Sequence, residues 1–219
     1  MRFILYLIIT FFIVSYNAIA QTESIRVFSK KGNIYYTQGY KITTQLTFKG
    51  TDHFPILSPN HNLIAFVRVG DKKLPLSCSF SANTINGYGE QIWTINLKTK
   101  QERLLVTSHF FCDSPTKMIV NPRNLTFSPD GKILYFLTSA WTTSGAIHTV
   151  NSDGSNLHYL LPANALDIVM HGKYKGYLIL QQHRYYHSKL GSYDWYWLFS
   201  PTGKEIRSLS DEQRNHALK

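Results

Sequence analysis

Short, unbroken apolar runs recur along the chain, among them Ile64-Ala65-Phe66-Val67, Ile133-Leu134-Tyr135-Phe136-Leu137 and Tyr177-Leu178-Ile179-Leu180. Runs of this length without polar alternation are expected of inner β-strands covered on both faces. Between them lie turn-forming clusters: Ser58-Pro59, Ser128-Pro129-Asp130-Gly131, Asp153-Gly154 and Pro201-Thr202-Gly203. Proline presets φ for the first central turn position, and Asp or Gly tolerates the conformation that follows. No long stretch beyond the first twenty residues shows a helical period, so the pattern predicts an all-β protein.

The runs are organised as repeats. "HFPILSPNHNLIAFVR" (53–68) superimposes on "RNLTFSPDGKILYFLT" (123–138), with Ser58-Pro59 falling on Ser128-Pro129 at an offset of 70. Each is followed by a second strand pair, "QIWTINLKTKQERLLV" (91–106) and "AIHTVNSDGSNLHYLL" (146–161). A more degenerate third copy has "KGYLILQQH" (175–183) and "YWLFSPTGKEIRSLS" (196–210). Equating Phe136 with Ile179 gives a step of 43, close to the period of about 40 to 45 for four-stranded propeller blades. The longer first step is ascribed to an insertion over roughly 70–90, which contains Gly70, Pro75, Gly87 and Gly89 and reads as an extended loop. Residues 24–50 carry three further strand-like runs, at 25–29, 33–37 and 42–48, and look like a blade without its innermost strand. The expectation is a small or partial β-propeller of about four blades, the first incomplete, within a domain spanning 21–219. The blades fall at about 25–50, 51–107, 123–162 and 165–210. A closed ring, an open arc and an arc completed by a second copy are all compatible with the repeats.

These residues carry a family resemblance. "LTFKGTDHFPILSPNHNLIAFV" and "LTFSPDGKILYF" with "IHTVNSDGSNLHYLL" resemble the WD40-like (PD40) repeats of the TolB propeller, over roughly Ile34 to Leu209. The signature is a Leu-Thr pair leading into a Ser-Pro-Asp-Gly turn, an apolar inner strand, and a second strand ending in an Asp-Gly turn. Asn60-His61 replaces Asp-Gly in the first copy, the third copy lacks the Ser-Pro turn between its first strands, and TolB's N-terminal α/β domain is absent. The resemblance implies a cell-envelope propeller whose loops bind a partner. TolB-like propellers are associated with envelope proteins, including the peptidoglycan-associated lipoprotein Pal.

The chain's beginning reads as an export signal, and its charge bears on the partner. Arg2, the apolar run Phe3 to Val14 broken only by Thr10, and Ala18-Ile19-Ala20 have the layout of a signal peptide over 1–20, cleaved after Ala20. No second long apolar run follows, so no transmembrane segment is expected after cleavage. The expected location is the periplasm or the medium. The whole chain has 23 basic and 13 acidic residues, and loss of Arg2 with the leader leaves a net charge of +9. A basic surface favours anionic partners such as acidic glycans, lipopolysaccharide or anionic lipid, although no long basic run concentrates the charge. Nucleic acid is not an expected partner. In an exported chain the two cysteines, Cys78 and Cys112, form either a disulfide or two unpaired thiols. If unstrained, the bridge would contribute about 3 kcal/mol through loop entropy.

Candidate binding residues concentrate in "QQHRYYHSKLGSYDWYWLF" (181–199): His183, Arg184, Tyr185, Tyr186, His187, Tyr193 and Trp195. Aromatic faces beside basic groups suit sugar rings, peptides or other planar groups. The structural alternative sends Trp195 and Trp197 together into the interblade core, because alternate residues of a strand share a face. His183 and His187 lie four apart without the helical context that makes such spacing a zinc site. There is no Gly-x-Ser-x-Gly elbow and no phosphate-binding glycine loop, and Asp130 and Asp153 are accounted for by their turns. The resulting reading is a non-catalytic binding or scaffold protein with no cofactor; the alternative is a hydrolase or other enzyme built on a propeller.

Overall fold

The computed structural model describes residues 24–39, 43–74, 87–111, 113–187 and 190–218. The leader and both cysteines lie outside these residues, as does most of the expected insertion. The strands form four antiparallel meanders. The first sheet is β1 (Ile25–Lys30), β2 (Asn33–Gln38) and β3 (Thr44–Gln45). The second is β4 (Asp52–Leu57), β5 (Leu63–Lys73), β6 (Tyr88–Asn96) and β7 (Glu102–Val106). The third is β8 (Arg123–Phe127), β9 (Ile133–Ser139), β10 (Gly145–Asn151) and β11 (His158–Ala163). The fourth is β12 (Ala165–Ile168), β13 (Leu178–Tyr185), β14 (Ser192–Phe199) and β15 (Glu205–Leu209). This is an all-β architecture of propeller blades, the first with three strands and the others with four.

The apolar runs explain the stacking. Along β9, Leu134 and Phe136 enter the core shared with the second sheet, whereas Tyr135 and Leu137 enter the core shared with the fourth. Along β5, Ala65 and Val67 face the third sheet while Ile64 and Phe66 face the first. A strand between two sheets thus puts both its faces into cores, and each fully buried Leu, Ile or Phe contributes about 1.5–3 kcal/mol. The first strands β4, β8 and β12 also touch in succession, which places them on the inner side of the stack.

The Ser-Pro turns are built alike. Ser128 Oγ donates to Asp130 Oδ1 at 2.6 Å and accepts from the Ile133 amide at 2.9 Å. Ser58 Oγ does the same with Asn60 Oδ1 (2.8 Å) and the Leu63 amide (2.9 Å). His61 stands at φ 57° where Gly131 stands at φ 72°, so a side chain occupies a left-handed position that glycine fills in the other copy. The first strands of the two sheets, β4 and β8, share a bulge as well. The register slips between His53 and Ile56 and between Arg123 and Thr126, with Phe54 (φ 52°) and Asn124 (φ 50°) left-handed at equivalent positions.

Several expectations need correction. Gly70 and Gly89 belong to β5 and β6, so the ends of the presumed loop are strand. The Leu-Thr pairs are not equivalent: Thr47 is buried between β3 and β4, where its Oγ1 accepts from the Ile34 amide at 2.9 Å, whereas Thr126 lies within β8. Counting three residues back from Asn151 and Ser200, the turn residues at the ends of β10 and β14, equates His148 with Trp197, whose cross-strand partners are Phe136 and Leu180. The third copy therefore steps by 44 along its inner strand, from Phe136 to Leu180, rather than 43.

A helix was not expected, yet α1 (Asp211–Ala217) follows β15. Ser210 accepts from the Gln213 amide while the Gln213 side chain accepts from the Ser210 amide, a capping box that the Ser-x-x-Gln spacing could have signalled. Ala217 packs with Val169, Ile179, Leu198 and Leu209 on the face of the fourth sheet turned away from the third. Arg214 holds it there, bonding Asp167 at 3.0 Å with its guanidinium 4.1 Å above the Tyr196 ring. Among the described residues, no helix is long and apolar enough to cross a membrane.

Candidate functional site

The β13–β14 hairpin outgrows its sheet. β12 pairs only with Leu178 to Gln181 and β15 only with Tyr196 to Phe199, so the strands beyond them form a two-stranded projection. Its cross-strand pairs are Gln182 with Trp195, His183 with Asp194, Arg184 with Tyr193, and Tyr185 with Ser192. Alternation along the strands divides the candidate residues between two faces.

One face carries Arg184, Tyr193 and Trp195. The Arg184 guanidinium lies 3.7 Å above the Trp197 ring, donates to Gln182 Oε1 at 3.0 and 2.6 Å, and meets Glu205 at 2.6 Å. Gln182 in turn donates to the Pro162 carbonyl at 2.7 Å, tying the face to the third sheet. Tyr193 bridges Trp197 (ring centroids 6.1 Å apart) and Tyr186 (4.8 Å). Arg184 thus has its counter-charge, and the rings are the surface left to contact a partner. Trp197 is 5% exposed and Trp195 46%, so the expectation that both enter the core holds only for Trp197.

The opposite face carries His183 and Tyr185. His183 Nδ1 lies 3.0 Å from Asp194 Oδ1, its ring meets Tyr185 edge-on at 5.2 Å, and Tyr185 is 65% exposed. His187 lies near the tip and is exposed. Gly191 adopts φ 127°, and its carbonyl accepts from the Tyr186 amide at 3.3 Å. The arrangement offers aromatic faces on a braced scaffold. Among the described residues, no group of three or more His, Cys, Asp or Glu is placed to hold a metal ion.

A related device in the second sheet escaped the sequence reading. Arg68 sits over Trp93 at 4.6 Å and bonds Asp52 and Glu102. Trp93 and Trp197 each precede by three positions the turn residue at the end of their strand, Asn96 and Ser200, and Glu102 and Glu205 each lie across from the residue just before it, Ile95 and Phe199. Burial pulls the Arg68 guanidinium down, but its bonds to Asp52 and Glu102 outweigh that and hold its pKa above the ordinary arginine value. Hairpin arithmetic could have found the pair, since Asp52 and Arg68 are equidistant from position 60 in the Ser-Pro turn.

In the third sheet the equivalent position is His148. Its Nε2 lies 3.0 Å from the Thr116 carbonyl and its Nδ1 3.3 Å from Thr138 Oγ1, which assigns the proton to Nε2. Burial lowers its pKa, against the raising effect of the Thr116 bond. The turn carboxylates are held low by hydrogen bonds instead, Asp130 by its Ser128 bond and Asp153 by its Ser155 bonds.

The fold class that these sheets define is the β-propeller. Among solved structures the chain is similar to a provisionally assigned TolB from Agrobacterium tumefaciens (16% identity, TM-score 0.52), covering 84% of this chain and 60% of that one. It is similar to the β-propeller domain of the Trilobed protease from Pyrococcus furiosus, described as having an open velcro topology (11%, TM-score 0.53, 85% and 53% covered). It is also similar to dipeptidyl peptidase 4 from Porphyromonas gingivalis (10%, TM-score 0.57, 85% and 31% covered). The chain spans 60% or less of each of these proteins, and at such identities the likeness establishes the fold. No family model matches the sequence, and no curated protein matches it.

Proposed function

We propose that this is an exported, non-catalytic binding or scaffold protein of the bacterial cell envelope. In this reading the leader over 1–20 delivers the chain to the periplasm, and the propeller presents loops to an envelope protein or an anionic glycan. The observation that carries the reading is the β13–β14 projection, which holds Trp195, Tyr185 and Tyr186 in solvent on a hairpin braced by Arg184 and Trp197. Exposed aromatic residues on a rigid support contribute contact area at low entropic cost. The excess of basic residues adds attraction for an anionic surface.

The test is retention of envelope components by the immobilised mature protein, beside co-sedimentation with purified peptidoglycan sacculi. A specific protein or glycan should be retained, and Trp195→Ala with Tyr186→Ala should release it. Equal retention by that double variant, or no retention at all, overturns the reading.

A further inference from the structure

The cleft between α1 and the β12–β13 connection lies away from the aromatic projection and has a different chemistry. It encloses about 870 Å³ and is lined by Val169, His171, Lys173, Tyr174, Arg207 and His216, with Glu212 the one carboxylate in its lining. Its floor is apolar, since Val169, Tyr174 and Ala217 pack in the cluster that seats the helix on the fourth sheet. The loop that forms one wall is fixed: the Gly176 amide donates to the Val169 carbonyl at 2.7 Å and the Val169 amide to the Tyr177 carbonyl at 2.9 Å.

The cations of the cleft are without a carboxylate partner among the described residues. Arg68, Arg184 and Arg214 each reach a carboxylate. Among the described residues, the side chains of Arg207, His171 and His216 have no ion pair or hydrogen bond, and Lys173 lies only against the Tyr174 ring at 5.4 Å. Four basic groups converging on one concavity with one acid are more than a single carboxylate ligand requires. They suit a doubly charged oxyanion, with guanidinium and ammonium as charge-assisted donors. A concave site with an apolar floor and a few converging polar groups also accepts an apolar substituent beside that anion.

We propose that this cleft binds a phosphate monoester, with Arg207 and Lys173 as the principal donors, the two histidines beside them, and Tyr174 and Val169 against the group the phosphate is attached to. The same chemistry is offered by a soluble phosphate ester and by a lipid headgroup with a terminal phosphate. The site is independent of the aromatic hairpin.

The full mature chain is titrated by NMR with phenyl phosphate and with inorganic phosphate at constant ionic strength, following the ring signals of His171 and His216. In parallel it is sedimented with phosphatidylcholine vesicles with and without phosphatidic acid. Saturable shifts with phenyl phosphate alone identify a soluble ester, and binding to the phosphatidic acid vesicles identifies the lipid. In either case Lys173→Ala with Arg207→Ala should weaken binding about tenfold or more, as expected for losing two charge-assisted bonds. Glu212→Gln, which removes a like charge from the cleft, should tighten it. Because these side chains are exposed, the variants should keep the thermal midpoint of the parent. The proposal is overturned if neither probe binds saturably, or if the double variant binds as the parent does.

Discussion

Arg68 and Asp52 face each other across β5 and β4 as a two-pronged pair, Nε to Oδ1 at 2.6 Å and Nη2 to Oδ2 at 2.8 Å. The carboxylate is fully shut off from solvent and the arginine side chain is 7% exposed, while the third arm of the guanidinium reaches Glu102 at 2.7 Å. One cation therefore ties together the first, second and fourth strands of the second sheet.

Breaking that pair from one side leaves a buried charge without its partner. Arg68→Met should cost about 3–5 kcal/mol, the usual penalty for such a loss. Replacing both groups, Arg68→Met with Asp52→Leu, should restore most of it, since Glu102 can reach water. Urea unfolding midpoints of the two variants check this. A double variant as unstable as the single one would show that the pair gives more than mutual neutralisation.

The left-handed turn positions make a prediction with opposite signs in the two copies. His61 and Gly131 donate the same backbone bond, to Ser58 and Ser128 at 2.8 Å, but His61 holds φ 57° with a side chain attached. His61→Gly should stabilise by about 0.5–1 kcal/mol, because the strain removed exceeds the added chain entropy. Gly131→Ala should destabilise by about 1–2 kcal/mol, because its φ is positive. The new methyl would also lie 3.4 Å from Asn60 Nδ2. Thermal melts of both variants are sufficient.

His148 should make stability depend on pH. Burial depresses its pKa below the ordinary histidine range, so the folded state resists the proton that the unfolded chain accepts. Above about pH 7 both states are neutral there and the contribution is level. As pH falls through about 6.5 the unfolded state binds more protons, and stability declines by up to about 1.4 kcal/mol per pH unit until the folded-state pKa is reached. Asp130 and Asp153, also held low, lose their contributions in a separate and more acidic window. Denaturant midpoints at pH 7.5 and 5.5 should differ in the parent, and the difference should shrink in His148→Gln.

The repeats made the sheets legible because each inner strand had to be apolar on both faces, leaving uninterrupted runs such as Ile133 to Leu137 between turn signals. What the repeats could not give was the content of single positions. Trp195 and Trp197 are both tryptophans on one face of β14, yet Trp197 is covered by the third sheet's core and Trp195 extends past it. That difference depends on where β12 and β15 stop, which no residue of β14 encodes. The cleft beside α1 was hidden for a similar reason: Lys173 and Arg207 lie 34 positions apart, on a loop and an outer strand of the fourth sheet, and the other wall is a seven-residue helix that the strand pattern does not announce.

The hairpin itself allows stability and binding to be separated. Trp197 fills the core between the third and fourth sheets and carries Arg184 on its ring, so Trp197→Ala should cost about 3–5 kcal/mol, as large-to-small core changes do. Trp195, on the same strand face, is 46% exposed, and Trp195→Ala should change stability by less than about 1 kcal/mol. If the projection is a contact surface, the second substitution should abolish retention of the envelope partner while its melt overlays the parent's. Arg184→Ala should fall between the two, because it strips a cation from the Trp197 ring and leaves Glu205, half in solvent, to rehydrate. Loss of stability in Trp195→Ala comparable to that in Trp197→Ala would instead assign the outer tryptophan to the fold, and the candidate surface would have to be sought elsewhere.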